Sequence, residues 1–414
     1  MTALRLLLLA VVIASVAISS GKQLRRAETR GDVEVYIHGA RLALAGQHLY
    51  TIPEPRGQQY YNYLPLLAVL SIPLTVLPIH AAVVGWCIFN VALVAWIVAG
   101  FFRAMAGRSF FSVPERTRWI VGGIAVLLTL RALLYHLDLG QANLAAIAVA
   151  VLGCYAISSG RAMAGGAAIG IAIVLKMIVL PVAIPFVVRA HRAAAGIVAG
   201  VLAGLLLPAL VFGLERNQAY VWYWLNDIIL GVNDLRQTRY WPLSMNYSLA
   251  GQLYRFFGDV IAFDHDGRFY SVTLARLPDS VLIPGAKLVP LATAILIAAY
   301  AWLHRRRAEF IATWGAVAFA FCLAPAFSLL AHKHYYVMLL PAHLYVVYLW
   351  YVVQVHDRWF RGLVAASFVI SIMSTTLFDF VGALMSNLGG LVWGSVLLAA
   401  AIWRAAANVS ESRI

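Results

Sequence analysis

The side chains best suited to chemistry in this chain are few: a carboxylate at Asp32, an ammonium at Lys176 and the run His332-Lys333-His334. Lys176 and the run His332 to His334 each stand at the outer end of an apolar run, and Asp32 lies in the polar segment after the first run. An ionisable group at membrane depth is costly to bury, so each is a functional candidate by default. A carboxylate there would serve as a general base, and clustered cations would meet a phosphate. Each also has a plainer reading. Asp32, Tyr36, Gly39 and Ala40 fall on one helical face, and an acid at the start of a helix is commonly a cap. Lys176 would equally snorkel from a helix end. The spacing His332-x-His334 suggests a metal ligand pair, but the intervening Lys333 repels a cation and favours a phosphate or pyrophosphate partner.

Other polar residues fall in the same segments. Glu34, Tyr36 and Tyr63 flank Asp32 in the first long polar stretch. Arg131 lies about two helical turns before Asp138, and Gln141 and Asn143 follow in a short connection. Those two amides would cap the next helix or bind sugar hydroxyls. A second long polar stretch offers Asn233, Asp234, Arg236, Arg239 and Asn246, none with a specific spacing. No phosphate-binding glycine loop or dinucleotide fingerprint is present, so a nucleotide donor is not indicated. A lipid-linked donor is the natural kind. No cofactor is indicated. A divalent metal has little to hold it, since only Asp32 and Glu34 form a close carboxylate pair.

The elements that would position these residues are membrane spans. Of 414 residues, 63% are hydrophobic and 12% charged, and the mean hydropathy is +0.83. That charged share is about half the soluble norm. It excludes a soluble enzyme, a disordered chain and a secreted disulfide scaffold. Cys87, Cys154 and Cys322 each sit inside an apolar run and read as core residues. Spans need roughly 20 apolar residues. The runs are Leu4–Ser20, Ala81–Phe102, Trp119–Leu134, Gln141–Ser158, Met163–Leu175, Ile178–Val188, Ala194–Leu214, Val281–Leu303, Phe310–Leu330, Tyr335–Val353, Leu363–Leu377 and Leu388–Trp403. The first reads as a retained span rather than a cleaved signal peptide. Leu64–Leu77 is short and holds Pro65 and Pro73, so it reads as re-entrant or interfacial. The expectation is an all-α polytopic membrane protein, a single domain over residues 1–414 with about 12 transmembrane helices. Its outer loops would span about 21–80 and 215–280.

Charge orients this chain. With the N-terminus inside, the inner segments carry fifteen of the 31 Lys and Arg but only four of the 17 acids. Most of the net +14 thus falls on the inner side, as cytoplasmic loops require. The membrane therefore accounts for the positive charge, and no nucleic-acid partner is expected. Both termini are expected in the cytoplasm of a bacterial plasma membrane, with the candidate site on the periplasmic or extracellular side.

The order of several short marks resembles glycosyltransferase family 87, integral-membrane enzymes of the GT-C architecture that use polyprenyl-phosphate sugars. The marks are Asp32 with Tyr36, then Gly46 and Tyr50, then Tyr63 to Leu66. Gly140-Gln141-x-Asn143 follows, then Ala164-Gly165, Gly170, Lys176 and Pro181, then Asn246-x-Ser248-Leu249 and the stretch His332 to Pro341. They cover most of the chain. Leu64-Pro65 departs from the Pro-Pro pair often found in the family, and Ala324-Pro325 stands where Ser-Pro is usual. The resemblance implies an outward cavity, a catalytic base that falls on Asp32, and a histidine near the donor phosphate. That histidine falls best on His334, with His332 the alternative.

The expected reaction is inverting transfer of a hexose, mannose in the first instance, to a lipid or glycan acceptor among the membrane lipids. Lys176, Arg131, His332 and Lys333 would bind the donor phosphate. Glu34, Tyr36, Tyr63, Gln141, Asn143 and Asn246 would contact sugar or acceptor. The rival reading is a lipid or glycan transporter without transfer chemistry, which would predict internal repeats and mid-membrane polar groups. Neither is apparent in the sequence.

Overall fold

The computed structural model describes residues 2–26, 31–56, 59–230, 245–376 and 380–409. Asn233, Asp234, Arg236 and Arg239 lie outside the described residues. Almost every element is helical. In chain order the helices used below are α1 (Thr2–Arg26), α2 (Asp32–Leu44), α3 (Pro65–Leu70), α4 (Ile79–Ala106), α5 (Glu115–Leu139), α6 (Asn143–Ser158), α7 (Ala162–Leu175), α8 (Leu180–Arg189), α9 (His191–Phe212), α10 (Leu214–Tyr223), α11 (Leu249–Phe257), α12 (Asp279–Leu303), α13 (Phe310–Phe327), α14 (Leu339–Tyr351), α15 (Arg358–Thr376), α16 (Phe380–Asn387) and α17 (Gly390–Asn408).

Each of the twelve apolar runs falls mainly on one of these helices. Among the described residues, six helices (α4, α5, α9, α12, α13 and α17) are long and apolar enough to cross a membrane alone. Helices α6 and α7 and the segment Met177–Arg189 are apolar but shorter. The protein is an all-α polytopic membrane protein. The Pro-bearing stretch at Leu64–Leu77 forms only the single-turn α3 and a short 3-10 turn, Ile72–Val76. Proline stands first or second in each piece, where its missing N–H costs nothing.

One feature was not expected from the apolar pattern. Phe263–His265 pairs antiparallel with Arg268–Tyr270. Asp266 and Gly267 form the turn, both at positive φ (51° and 73°). This is the Asp-Gly signature of a tight hairpin, whose backbone twist matches that of the flanking strands.

Small residues set the tightest packing. Gly166 and Gly170 on α7 face Gly196 and Gly200 on α9. A Cβ added at Gly200 would come within 2.0 Å of the Ala167 carbonyl oxygen, and one at Gly170 within 2.2 Å of the Ile197 oxygen. Gly153 on α6 and Gly165 on α7 meet in the same way. Within a bilayer, helices associate through such close backbone approach rather than through a hydrophobic drive. This sheet of three helices fixes the end of α7, and therefore Lys176. The main apolar core is built largely from α4 to α8, α13, α14 and α17, with α13 buried along most of its length.

Candidate active site

Asp32 opens α2 but does not cap it. The Gly31 N–H is taken by Glu34 Oε2 at 3.3 Å, which leaves the Asp32 carboxylate to other partners. Glu34 is buried and so serves the helix start. Tyr36, one turn on, is fully buried, with its ring edge-on to Tyr63 (centroids 5.3 Å apart) and near Trp86.

The turn between α5 and α6 supplies the partner of Asp32. Gly140 ends α5 in the left-handed region at φ 69°, and its carbonyl accepts from Trp86 Nε1 at 2.9 Å. A Cβ there would strike Gln23 and Val33. Glycine at 140 thus aims Gln141 back at α2. Gln141 Nε2 donates to Asp32 Oδ2, and Gln141 Oε1 accepts from Lys176 Nζ at 2.8 Å. Lys176 sits at the break after α7, in extended backbone (φ −158°), with its side chain buried. Its Nζ lies 4.8 Å from the Tyr63 ring centre and 5.7 Å from that of Tyr335. Such cation–π contacts contribute about 0.5–2 kcal/mol.

The third element is the 3-10 segment Lys333–Met338 leading into α14. His334 is buried, its ring stacked on His332 at 5.4 Å and edge-on to Tyr335 at 4.9 Å. The fully buried Asn143 donates from Nδ2 to the His334 carbonyl at 3.1 Å and so ties this segment to the start of α6. His332 Nδ1 bonds the Met245 carbonyl at 3.2 Å.

Electrostatics follow from burial. Desolvation raises the Asp32 carboxyl to about 6, tempered by the Lys176 charge and the Gln141 hydrogen bond. Desolvation lowers Lys176 to about 8, tempered by Asp32. His334 is held neutral, well below the usual imidazole range, first by burial and then by Lys176, His332 and His136. His332 is lowered by the same burial.

Lys333 turns to another space. Its Nζ lies 5.5 Å from the Tyr135 ring centre and 5.1 Å from that of Tyr247. Burial lowers its ammonium, and Tyr135 partly offsets this. Arg131 stacks on the same Tyr135 at 4.5 Å and donates from Nε to the Thr375 carbonyl at 2.8 Å. Arg131, Tyr135 and Lys333 line a cavity of about 320 Å³, otherwise walled largely by apolar side chains of α5, α14, α15 and α17. A cationic patch thus lines an apolar cavity, and the 3-10 segment that carries Lys333 into it also carries His334.

The structure brings Asp32, Tyr36, Tyr63, Gln141 and Lys176 together, with Asn143 and His332–His334 alongside. It sets Arg131 and Lys333 at the neighbouring cavity. Asn246 is placed differently from the sequence expectation of a sugar contact. It is fully buried, donates to the Leu329 carbonyl and accepts from the Ser248 and Ala331 N–H groups. Both ends of its amide are spent as a clasp on the segment before His332. Sequence reasoning passed over Arg255 on α11, which supports that clasp. It is fully buried and donates to the carbonyls of Asn246 and Asn387 and to Gln252. Tyr135 was missed too, though its place four residues after Arg131 was a usable signal. Among the described residues, no group of three His, Cys, Asp or Glu is arranged to hold a metal ion.

The helices gather an acid, an ammonium and tyrosines in one buried site of a membrane protein. The sequence matches glycosyltransferase family 87 over residues 61–324, more than half of the chain, and the protein belongs to that family. It is a membrane glycosyltransferase. No curated protein and no solved structure matches the chain. The family match takes in Tyr63, Arg131, Gln141, Asn143, Lys176 and Asn246, whereas Asp32 and His332–His334 lie outside it.

Proposed function

We propose that the protein transfers a hexose, mannose in the first instance, from a polyprenyl-phosphate sugar to a lipid or glycan acceptor at the outer face of the bacterial plasma membrane. The whole chain would act as one membrane domain. The observation that carries this reading is the buried carboxylate of Asp32, bridged through Gln141 to Lys176.

In the reaction, the acceptor oxygen attacks the anomeric carbon while its proton passes to Asp32. The bond from that carbon to the phosphate oxygen breaks, and the electron pair stays on the phosphate. Attack opposite the leaving group inverts the centre. The phosphate leaves without an acid, so one carboxylate suffices where a glycosidase needs two. Lys333, Arg131 and Lys176 offset the charge that grows on the phosphate, most effectively where water is excluded. Neutral His334 offers one N–H donor to the same group. The prenyl chain lies along the cavity lined by α5 and α15.

Purified protein in lipid nanodiscs, given a panel of polyprenyl-phosphate sugars and lipid acceptors, tests this. One sugar should be transferred, and Asp32→Asn should lower kcat by about 10²–10⁴-fold with an unchanged melting temperature. Undiminished transfer by Asp32→Asn overturns the base. No turnover with any prenyl-phosphate sugar overturns the donor class.

A further inference from the structure

The geometry points to Gln141 as a positioning residue that fixes the Asp32 carboxylate and couples it to Lys176, rather than a side chain that binds sugar. This rests on the reading of Asp32 as the base.

The chemistry of the two neighbours leaves the amide one orientation. An ammonium only donates, so the Gln141 carbonyl faces Lys176; a carboxylate accepts, so the NH₂ faces Asp32. Each end of the amide is thus engaged by a charged neighbour in this arrangement. The side chain is buried, and its root is rigid: its backbone N–H is bonded to the His136 carbonyl at 3.2 Å, behind a glycine that no other residue replaces without a clash. Lys176 meets Asp32 through the amide, with Tyr63 and Tyr335 around its remaining donors. The hydrogen bond from the amide holds the Oδ2 oxygen of the carboxylate, and Oδ1 is the oxygen that would take the acceptor proton.

Several groups from neighbouring elements among the described residues face Asp32. They are Tyr36 on α2, Tyr63 before α3, Gln141 after α5, Lys176 after α7, and Tyr335 before α14. His334 and His136 stand one layer further out, in the field of Lys176. Of these, Gln141 alone touches both charged partners through hydrogen bonds.

Two variants test the role. Gln141→Leu removes donor and acceptor at similar length. Gln141→Glu keeps the shape but turns the donor end into an acceptor against Asp32, so folding is preserved where the leucine disturbs it. Both should lower kcat about 10–100-fold while KM for the donor sugar stays within about threefold. In both, the acid limb of the kcat/KM profile should move up by about one pH unit or more, because Asp32 loses a hydrogen bond that favours its charged form. The double variant Asp32→Asn/Gln141→Leu should be no slower than Asp32→Asn alone. A raised KM with an unmoved pH profile, or additive losses in the double variant, overturns the positioning role. Full activity of Asp32→Asn by itself instead overturns the reading of the base beneath it, a result independent of the Gln141 variants.

Discussion

Asp32 occupies a position where an acid ordinarily stabilises a helix start, yet the neighbouring Glu34 meets the Gly31 N–H and Asp32 is held by Gln141. This division gives the reaction a pH window. The folded-state value of Asp32 is raised to about 6, so the base is competent above that pH and is lost as pH falls through it. Lys176 is lowered to about 8, so its charge is present below that pH and is lost as pH rises through it. The expected kcat/KM profile is a bell with its maximum near neutrality, measured by initial rates of sugar transfer from pH 5 to 9. A rate that stays flat from pH 7 down to 5 excludes a buried carboxylate base. Lys176 and His334 were legible in the sequence as ionisable groups at the ends of apolar runs, and Asp32 as an acid at a helix start. Their linkage was not, because it runs through Gln141, whose amide has no charge to advertise it. Asn246 was less legible for the converse reason: a polar residue in a polar stretch gives no sign that it clasps backbone at Leu329, Ser248 and Ala331.

At the scale of elements, glycine decides where the ionisable residues stand. Gly166 and Gly170 on α7 meet Gly196 and Gly200 on α9 with no room for a methyl group, and Lys176 is the first residue beyond α7. Gly200→Ala should therefore destabilise the protein by about 1–3 kcal/mol, since the obstructing atoms are backbone and cannot turn aside. Gly285→Ala in α12 is the matched control. A Cβ there meets nothing within 4 Å, and removing a helical glycine stabilises by about 0.5–1 kcal/mol. Melting in detergent, followed by intrinsic fluorescence, separates the two; equal melting temperatures would sink the packing argument. The apolar runs revealed α7, α9, α12 and the other long apolar helices, because burial in lipid forces each backbone to satisfy its own hydrogen bonds. Their lengths were less legible. Short spans such as α6 and α7 are sheltered by neighbours, and an apolar run does not say how much lipid it meets. The Asp266-Gly267 hairpin was readable from its turn residues alone, but it lies in a polar stretch where hydropathy carries no signal.

For the whole molecule, the uneven distribution of charge predicts which end faces the cytoplasm. Helix α12 joins the hairpin around Asp266 to the cluster Arg305-Arg306-Arg307. Its 25 residues rise about 37 Å, enough to cross the roughly 30 Å hydrocarbon core. The two sites must then lie on opposite sides, and loop arginines are retained on the inner one. The three native cysteines are buried, so they give little background to a thiol reagent. A cysteine placed by Asp266→Cys should react in intact cells with a reagent that cannot cross the membrane. One placed by Arg306→Cys should react only after permeabilisation. The same experiment bears on the chemistry. Lys176 and His334 bound apolar helices whose other ends carry arginines, at Arg161 before α7 and at Arg358 and Arg361 beyond α14. If Arg306→Cys is labelled from outside, the carboxylate site faces the cytoplasm, and a donor presented on the outer leaflet cannot reach Asp32. Labelling at Asp266→Cys alone leaves the balanced, acid-bearing side of the protein outside, where a prenyl-linked sugar and a surface acceptor can meet.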